Sequence, residues 1–422
     1  MSYESTLEFI HSESWKKHKN GLDRIRTLLD KLGNPQKKLK FIHVAGTNGK
    51  GSTCSMLDAV LRKAGYKTGL FTSPYIYRFN ERMRVNGMEI PDDTLEEICD
   101  EIRAVTEMMD EKPSEFEIVC AIGMVWFLRE NCDIVVLEVG LGGEFDSTNV
   151  IDAPECAVIT AIGLDHTEML GNTIALVASA KAGIIKHDCD VITFSGEPDA
   201  DEVFRKTCVE RNARLAEIQE ENILLERCDS DGSLMHYGEM RNIYVPLAGT
   251  YQPRNAALAI ETLRLLARKG WALNDEIIRI GIAEAKWPGR FEKLGEKPEF
   301  ILDGAHNPHG IRAAADSLKT CYPGKRFVFL LGAMRDKAID EILDNLLPIA
   351  EGFVATRPDI YRAMSAEELA LRVESRGASC IACPEITEAV RTACRIAGED
   401  GIVCALGSLY FSADIHNALL QK

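Results

Sequence analysis

Basic residues are the minority charge in this chain: 49 lysines and arginines stand against 65 aspartates and glutamates, for a net charge of −16 and a pI near 5.2. That deficit argues against nucleic acid or an anionic membrane as the main partner. The short basic runs Lys16-Lys17-His18-Lys19 and Lys37-Lys38 read as solvated faces, so an anionic substrate would need a locally positive pocket. Long hydrophobic runs are missing too. The most apolar stretch, Ile118 to Leu128, falls far short of the ~18–20 residues needed to span a bilayer. The opening Met1-Ser2-Tyr3-Glu4-Ser5 has neither the basic nor the apolar region of a secretory signal. The 13 cysteines are odd in number and scattered, as expected of reduced thiols in the cytoplasm. One CxxC, Cys380-Ile381-Ala382-Cys383, has no second pair or nearby histidine to complete a zinc site. It reads as a strand running into a helix that starts at Pro384. No internal repeat or low-complexity tract stands out.

What the chain does have is the run His43-Val44-Ala45-Gly46-Thr47-Asn48-Gly49-Lys50-Gly51-Ser52-Thr53. Phe41, Ile42 and Val44 predict a buried strand, and Gly46, Gly49 and Gly51 a tight loop. A helix should follow with Met56, Leu57, Val60 and Leu61 on one face and Gly65 as its stop. Strand, glycine loop and helix is the context that cradles phosphate, through backbone N–H groups and the helix dipole. Lys50 would reach the terminal phosphates, and Ser52 or Thr53 a magnesium ion. The common P-loop spacing would put its first glycine at Val44, and here a glycine separates Lys50 from Ser52. A specialised ATP user therefore fits better than a generic kinase or GTPase.

At 422 residues the chain is too long for one ordinary core and suggests two or three domains. Residues 1 to about 290 alternate strand-like and helix-like segments, with strands at 41–45, 68–72, 133–139 and 156–162. That is the rhythm of an α/β doubly wound parallel sheet. Residues 214–250, with the turn Asp231-Gly232, read as a small antiparallel addition, and a helix through Ala256, Leu258, Ile260 and Leu263 follows. Residues 291–298 read as a hinge linker. From 299 to 422 a second βα series predicts a Rossmann-like α/β domain.

In open α/β sheets ligands bind beyond the carboxyl ends of the strands. Ser73-Pro74 follows the strand at 68–72. Glu138 is an acid in an apolar strand, leading to Gly140-Leu141-Gly142-Gly143 and Asp146-Ser147-Thr148-Asn149. A buried carboxylate needs a partner: magnesium beside a P-loop, or a salt bridge in the core. Asp165-His166 follows the strand at 156–162, and His166 is either a satisfied core histidine or part of this site. Lys181 in Lys181-Ala182-Gly183-Ile184-Ile185-Lys186 is ambiguous by type, because a protonated lysine repels metal. In the second domain, Asp303-Gly304-Ala305-His306-Asn307-Pro308 puts an acid and an imidazole before a helix N-terminus, a place to hold a nucleotide sugar or an anionic substrate.

Together these motifs resemble the folylpolyglutamate synthase/dihydrofolate synthase family, a branch of the Mur ligase superfamily. The resemblance spans nearly the whole chain. It is carried by Leu32-Gly33-Asn34-Pro35, His43 to Thr53, Phe71 to Pro74, Asn80-Glu81-Arg82, Glu138 to Asn149, Leu164 to Thr167 and Lys181 to Lys186. Gly249-Thr250-Tyr251-Gln252 with Asn255, Pro288-Gly289-Arg290, Asp303 to Pro308 and Gly407-Ser408-Leu409-Tyr410 complete it.

The resemblance implies an ATP- and magnesium-dependent ligase. A folate carboxylate attacks the γ-phosphate of ATP, and the amine of L-glutamate displaces phosphate from the acyl phosphate. ATP would be held by Gly46, Thr47, Asn48, Gly49, Lys50, Gly51 and Ser52, with Asn255 at the adenine, Arg290 at the phosphates and Asp303 at the ribose. Two magnesium ions would be served by Ser52, Ser73, Glu138 and His166. Lys181 matches a lysine carried as a carbamate, His306 and Ser408 stand near incoming glutamate, and Arg82 near the folate. A cytoplasmic monomer is expected, with no nucleic acid or membrane partner.

Glu144, Ala180 and Tyr251 depart from the commoner arginine, glutamate and histidine, which favours chain extension of folates over first addition to dihydropteroate. A Mur-type ligase for a cell-wall nucleotide precursor would carry an extra domain ahead of the P-loop, where only about 45 residues stand here. A catalytically inactive nucleotide-binding protein would have little use for Lys50, Glu138, His166 and Lys181 together.

Overall fold

The computed structural model describes residues 2–12 and 21–420; the basic run at 16–19 lies outside them. Contacts divide the chain into two compact units: residues 1–223 with 254–285, and residues 224–253 with 286–422.

The first unit is built on an eight-stranded sheet. Its strands are β1 (Phe41–Ala45), β2 (Thr68–Phe71), β3 (Met83–Val85), β4 (Met88–Glu89), β5 (Ile134–Glu138), β6 (Cys156–Ile159), β7 (Asp190–Thr193) and β8 (Arg214–Glu217). The order is β4-β3-β2-β5-β1-β6-β7-β8. Pairing is parallel from β2 through β8 and antiparallel at β2–β3 and β3–β4. Strands β1, β5 and β6 are buried along their whole length, as expected of parallel strands covered on both faces. Because β1 lies between β5 and β6, the strand order reverses there, and the loops leaving these three strands open a crevice. The apolar run at 118–128 falls in the helix Glu115–Arg129, started by a Ser114–Glu117 capping box and buried over most of its length. It is a core helix, and no helix among the described residues is long and apolar enough to cross a membrane.

The second unit carries a three-stranded sheet of β9 (Ile223–Asp229), β10 (Gly232–Tyr237) and β11 (Met240–Val245) in the order β11-β10-β9, and a six-stranded one. The latter comprises β12 (Glu292–Glu296), β13 (Glu299–Leu302), β14 (Phe327–Leu331), β15 (Ala350–Ala355), β16 (Cys380–Ala382) and β17 (Ile402–Leu406), in the order β12-β13-β17-β14-β15-β16. Pairing is parallel from β13 to β16. The CxxC spans β16 and the turn after it, and all 13 cysteines are free.

Three boundaries differ from the sequence reading. The stretch 291–298, expected as a linker, is mostly β12, which pairs antiparallel with β13 and bulges between Lys293 and Gly295. A charged, Gly-containing edge strand followed by a proline resembles a linker, because charge is one of the devices that protect an exposed edge. Residues 224–253, placed by adjacency with the first 290, pack in the second unit. Ala248 joins the core of Phe291, Ile301, Ile311 and Phe327 there, and Thr250 N–H donates to Ser317 Oγ (3.0 Å). Arg214–Glu217 is not part of the antiparallel addition but the parallel edge of the large sheet.

Candidate active site

Register builds the first unit's site. Val44 of β1 pairs with Glu138 of β5 on one side and Val158 of β6 on the other, so the loops that follow leave at the same level. The loop after β1 is clamped to the loop after β6. Thr47 and Asn48 N–H donate to Ala161 O (2.9 and 3.3 Å), and Thr160 Oγ1 donates to Asn48 O (2.7 Å). Two glycines are required by geometry. Gly46 has φ +148°, and a Cβ there would lie 1.8 Å from Thr160 Oγ1; Gly49 has φ +91°, and a Cβ there would lie 2.4 Å from Asn255 Oδ1. The helix Lys50–Lys63 starts immediately. Its first intrahelical bond is Thr53 N–H to Gly49 O, so the N–H groups of the preceding turn point off the helix end without helical acceptors.

Two ammonium groups converge on one carbonyl. Lys50 Nζ donates to Gly46 O (3.0 Å) and Thr47 O (3.2 Å), and Lys181 Nζ donates to the same Gly46 O (2.8 Å) from the helix Ile174–Ala182. Neither forms an ion pair with a carboxylate among the described residues. Burial, and then the charge of Lys50, hold Lys181 down to about 7 from its ordinary 10.5. Cations held only by carbonyls, at a helix N-terminus, form a seat for an anion.

Glu138 ends β5, 4% exposed, and its Oε2 accepts the Ser73 N–H (3.0 Å). The pairing of Phe71 with Leu137 brings those two together. Ser52 is buried on the first helical turn. His166 lies farther along the loop after β6, in the left-handed region (φ 49°). Its N–H donates to Asp165 Oδ1 (2.8 Å), and its side chain is 38% exposed. Arg82 is buried against the rings of Tyr75 and Phe79, 5.2 and 5.6 Å from their centroids. Its turn is fixed by Glu81, whose carboxylate accepts the N–H groups of Ile76, Tyr77 and Arg78. No group of three or more His, Cys, Asp or Glu among the described residues could hold a metal. The oxygen donors Ser52, Ser73 and Glu138 suit a hard cation that takes its remaining ligands from phosphate and water.

A buried polar chain beside this site could not be read from the sequence. His43 of β1, Thr148 and Asp146 are all buried. Thr148 Oγ1 donates to Asp146 Oδ1 (2.5 Å), so His43 Nε2 is the donor to Thr148 Oγ1 (2.9 Å). Asp146 also accepts the N–H groups of Leu141 and Thr148. Burial pushes Asp146 up, and those bonds pull it back. Burial, then Lys186, hold His43 down to about 3. A histidine within an apolar strand is the one sequence signal of this chain.

In the second unit, Asp303 ends up buried beyond β13 with three protein donors: Tyr251 Oη (3.1 Å), Phe291 N–H (2.8 Å) and Ala305 N–H (2.8 Å). Burial raises its pKa, while Arg290 and these bonds lower it. Arg290 Nη1 donates to Gly289 O (3.4 Å). His306 Nδ1 pairs with Gly304 O (2.8 Å), and Asn307 caps the helix Pro308–Cys321 through Gly310 N–H (2.7 Å). The loop after β17 meets this one, since Gly407 N–H donates to Ala305 O (2.7 Å). Ser408 Oγ accepts the Tyr410 N–H (3.1 Å). Two of the three departures from the family pattern are neighbours in the first unit: Glu144 N–H donates to Ala180 O (2.8 Å).

The family model for the Mur ligase middle domain matches residues 44–263, and that for the Mur ligase glutamate ligase domain matches 289–409. The chain is 36% identical to the dihydrofolate synthase/folylpolyglutamate synthase of Bacillus subtilis over 99% of each chain. It is 37% identical to the folylpolyglutamate synthase of Lacticaseibacillus casei over 82% of this chain and 83% of that one. Among solved structures, Mycobacterium tuberculosis folylpolyglutamate synthase complexed with ADP superposes with a TM-score of 0.91 at 29% identity, covering 99% of this chain and 98% of that one. E. coli FolC in complex with DHPP and ADP superposes at 0.89 and 30% identity, covering 100% and 98%. The chain belongs to the folylpolyglutamate synthase/dihydrofolate synthase family of Mur ligases.

Proposed function

We propose that this protein is an ATP-dependent ligase that adds L-glutamate to folates through an acyl phosphate. The observation that carries the reading is the pair of lysines on Gly46 O at the start of the helix Lys50–Lys63, with Glu138 buried at the end of the strand next to β1. Carboxylate attack on a triphosphate brings anions together, so the site must supply fixed positive charge. Lys50 and the first-turn N–H groups do this at the phosphates, and Arg290 adds a guanidinium. Asn255, packed against Gly49, faces the adenine. Asp303 has about four lone-pair sites and three are in use, which leaves one for a ribose hydroxyl.

Ser52, Ser73, Glu138 and His166 are the residues for two magnesium ions, which when bound would neutralise phosphate charge and orient the γ-phosphoryl group. Lys181 acts as a carbamate. Its amine attacks CO₂, a C–N bond forms and a proton leaves, and the product is an anion in place of a cation. The reaction requires the neutral amine, which a pKa near 7 supplies. Arg82 contacts the folate, and His306 and Ser408 the incoming glutamate. Glu144, Ala180 and Tyr251 favour chain extension over first addition to dihydropteroate. The free thiols suit a cytoplasmic setting. Comparison of a reduced folate with dihydropteroate as acceptor, with products followed by mass, tests the reading. Glutamate-dependent product from the folate is expected, and ATP binding without any ligation overturns it.

A further inference from the structure

The first unit holds an open pocket of about 610 Å³ whose lining includes Arg26, Lys37, Lys186 and His187 together with Asp30 and Asp152. Its size is that of a ligand pocket, about 300–1,000 Å³. In a chain of net charge −16, a lining in which Arg26, Lys37 and Lys186 outnumber Asp30 and Asp152 runs against the overall balance. Lys186 is the most telling. Its Nζ donates to Asn149 O (3.1 Å), no carboxylate pairs with it among the described residues, and Arg211 reaches the same segment by donating to Ile185 O (3.1 Å). Burial lowers its pKa, the charges of Arg211 and Arg26 lower it further, and Asp152 offsets them in part, so the lining keeps a small net positive charge. Asp30 is engaged by Asn34 Nδ2 (2.9 Å). Among the described residues Arg26 pairs with Asp23 alone, in an exposed contact (3.5 Å) of a kind worth little.

The cavity wall continues two segments of the candidate active site. Asn149 follows the Asp146–Thr148 turn, and its Nδ2 donates to Glu144 O (3.0 Å) and Gly183 O (3.1 Å); Lys186 lies just downstream of Lys181. We propose that this pocket binds the α-carboxylates of glutamates already added to the folate, so that Arg26, Lys37 and Lys186 read the length of the γ-glutamyl tail. The inference rests on the ligase reading above. That reaction adds one carboxylate per cycle, and longer acceptors present more anions than the catalytic residues consume.

The test uses the full chain and two probes, a γ-linked triglutamate peptide without pterin and inorganic phosphate, titrated calorimetrically. Wild type is expected to bind the peptide. Arg26→Ala/Lys37→Ala, which alters only surface cations, and Lys186→Met should each weaken it about tenfold or more, as for the loss of a charged hydrogen bond. In turnover, KM for a triglutamyl folate should rise by a similar factor in the double variant, with kinetics on the monoglutamyl folate unchanged. Peptide affinity equal in wild type and variants overturns the proposal. Phosphate binding without peptide binding also overturns it, and makes the pocket a phosphate site. A protein that makes no glutamylated folate defeats the ligase reading alone, because the peptide titration needs no catalysis.

Discussion

The two units treat a buried acid at the carboxyl end of a parallel strand in opposite ways. In the first, Glu138 accepts the Ser73 N–H while Lys50 and Lys181 rest on a backbone carbonyl. In the second, Asp303 takes donors from Tyr251, Phe291 and Ala305. The first arrangement keeps strong charges on weak partners, so an incoming triphosphate improves their interactions. The second uses most of its hydrogen-bonding capacity to join the segments at 251, 291 and 305.

Substitutions should separate these roles. Lys50→Ala should lower kcat by ~10²–10³-fold with the fold intact by circular dichroism, since the residue meets developing charge rather than the core. A variant keeping more than about a tenth of the turnover would remove Lys50 from the mechanism. Lys181→Ala should lose most activity, and a short carboxylic acid should restore part of it. High-resolution density for a bare ammonium with magnesium and ATP bound would refute the carbamate.

His306→Ala should act more mildly, raising KM for glutamate or lowering kcat while ATP affinity measured by titration stays close to wild type. Unaltered glutamate kinetics would count against it. Tyr251→Phe should cost about 1 kcal/mol in urea unfolding, the worth of one hydrogen bond to Asp303. A large activity loss at unchanged stability would move Tyr251 from scaffold to chemistry.

The smallest effect is a pH slope. With CO₂ excluded, so that the amine is free, folded Lys181 releases its proton near 7 and the unfolded residue near 10.5. Between those values only the unfolded chain holds the proton, so stability should rise with pH, and below about 7 the destabilisation is fully present. Urea midpoints at pH about 7 and about 9 should show this rise in wild type and less of it in Lys181→Met.

What could be read from the sequence was local. The glycine loop with Lys50 carries its own mechanism, and Glu138 is conspicuous as an acid within Ile134–Glu138. Phe71–Pro74 and Asp303–Pro308 stood out as the ends of apolar strands. What could not be read depends on pairing between distant segments. Thr160 closes the loop on Asn48, and His43 meets Asp146 through Thr148; nothing in their own neighbourhoods announces it. The assignment of 224–253 to the second unit depends on Ala248 and Thr250 finding Ile311 and Ser317. Strand β12 resembles a linker because charge protects an exposed edge just as it fills a loop.

The most direct test of the central claim is stoichiometry. Purified protein with magnesium, ATP, a reduced folate and L-glutamate should release one ADP for each glutamyl residue added, read by coupled assay and mass spectrometry together. Omission of glutamate should leave the folate mass unchanged. ADP release that ignores glutamate, or ATP binding with no gain in folate mass, would contradict the assignment of Lys50, Glu138 and Lys181 to ligation.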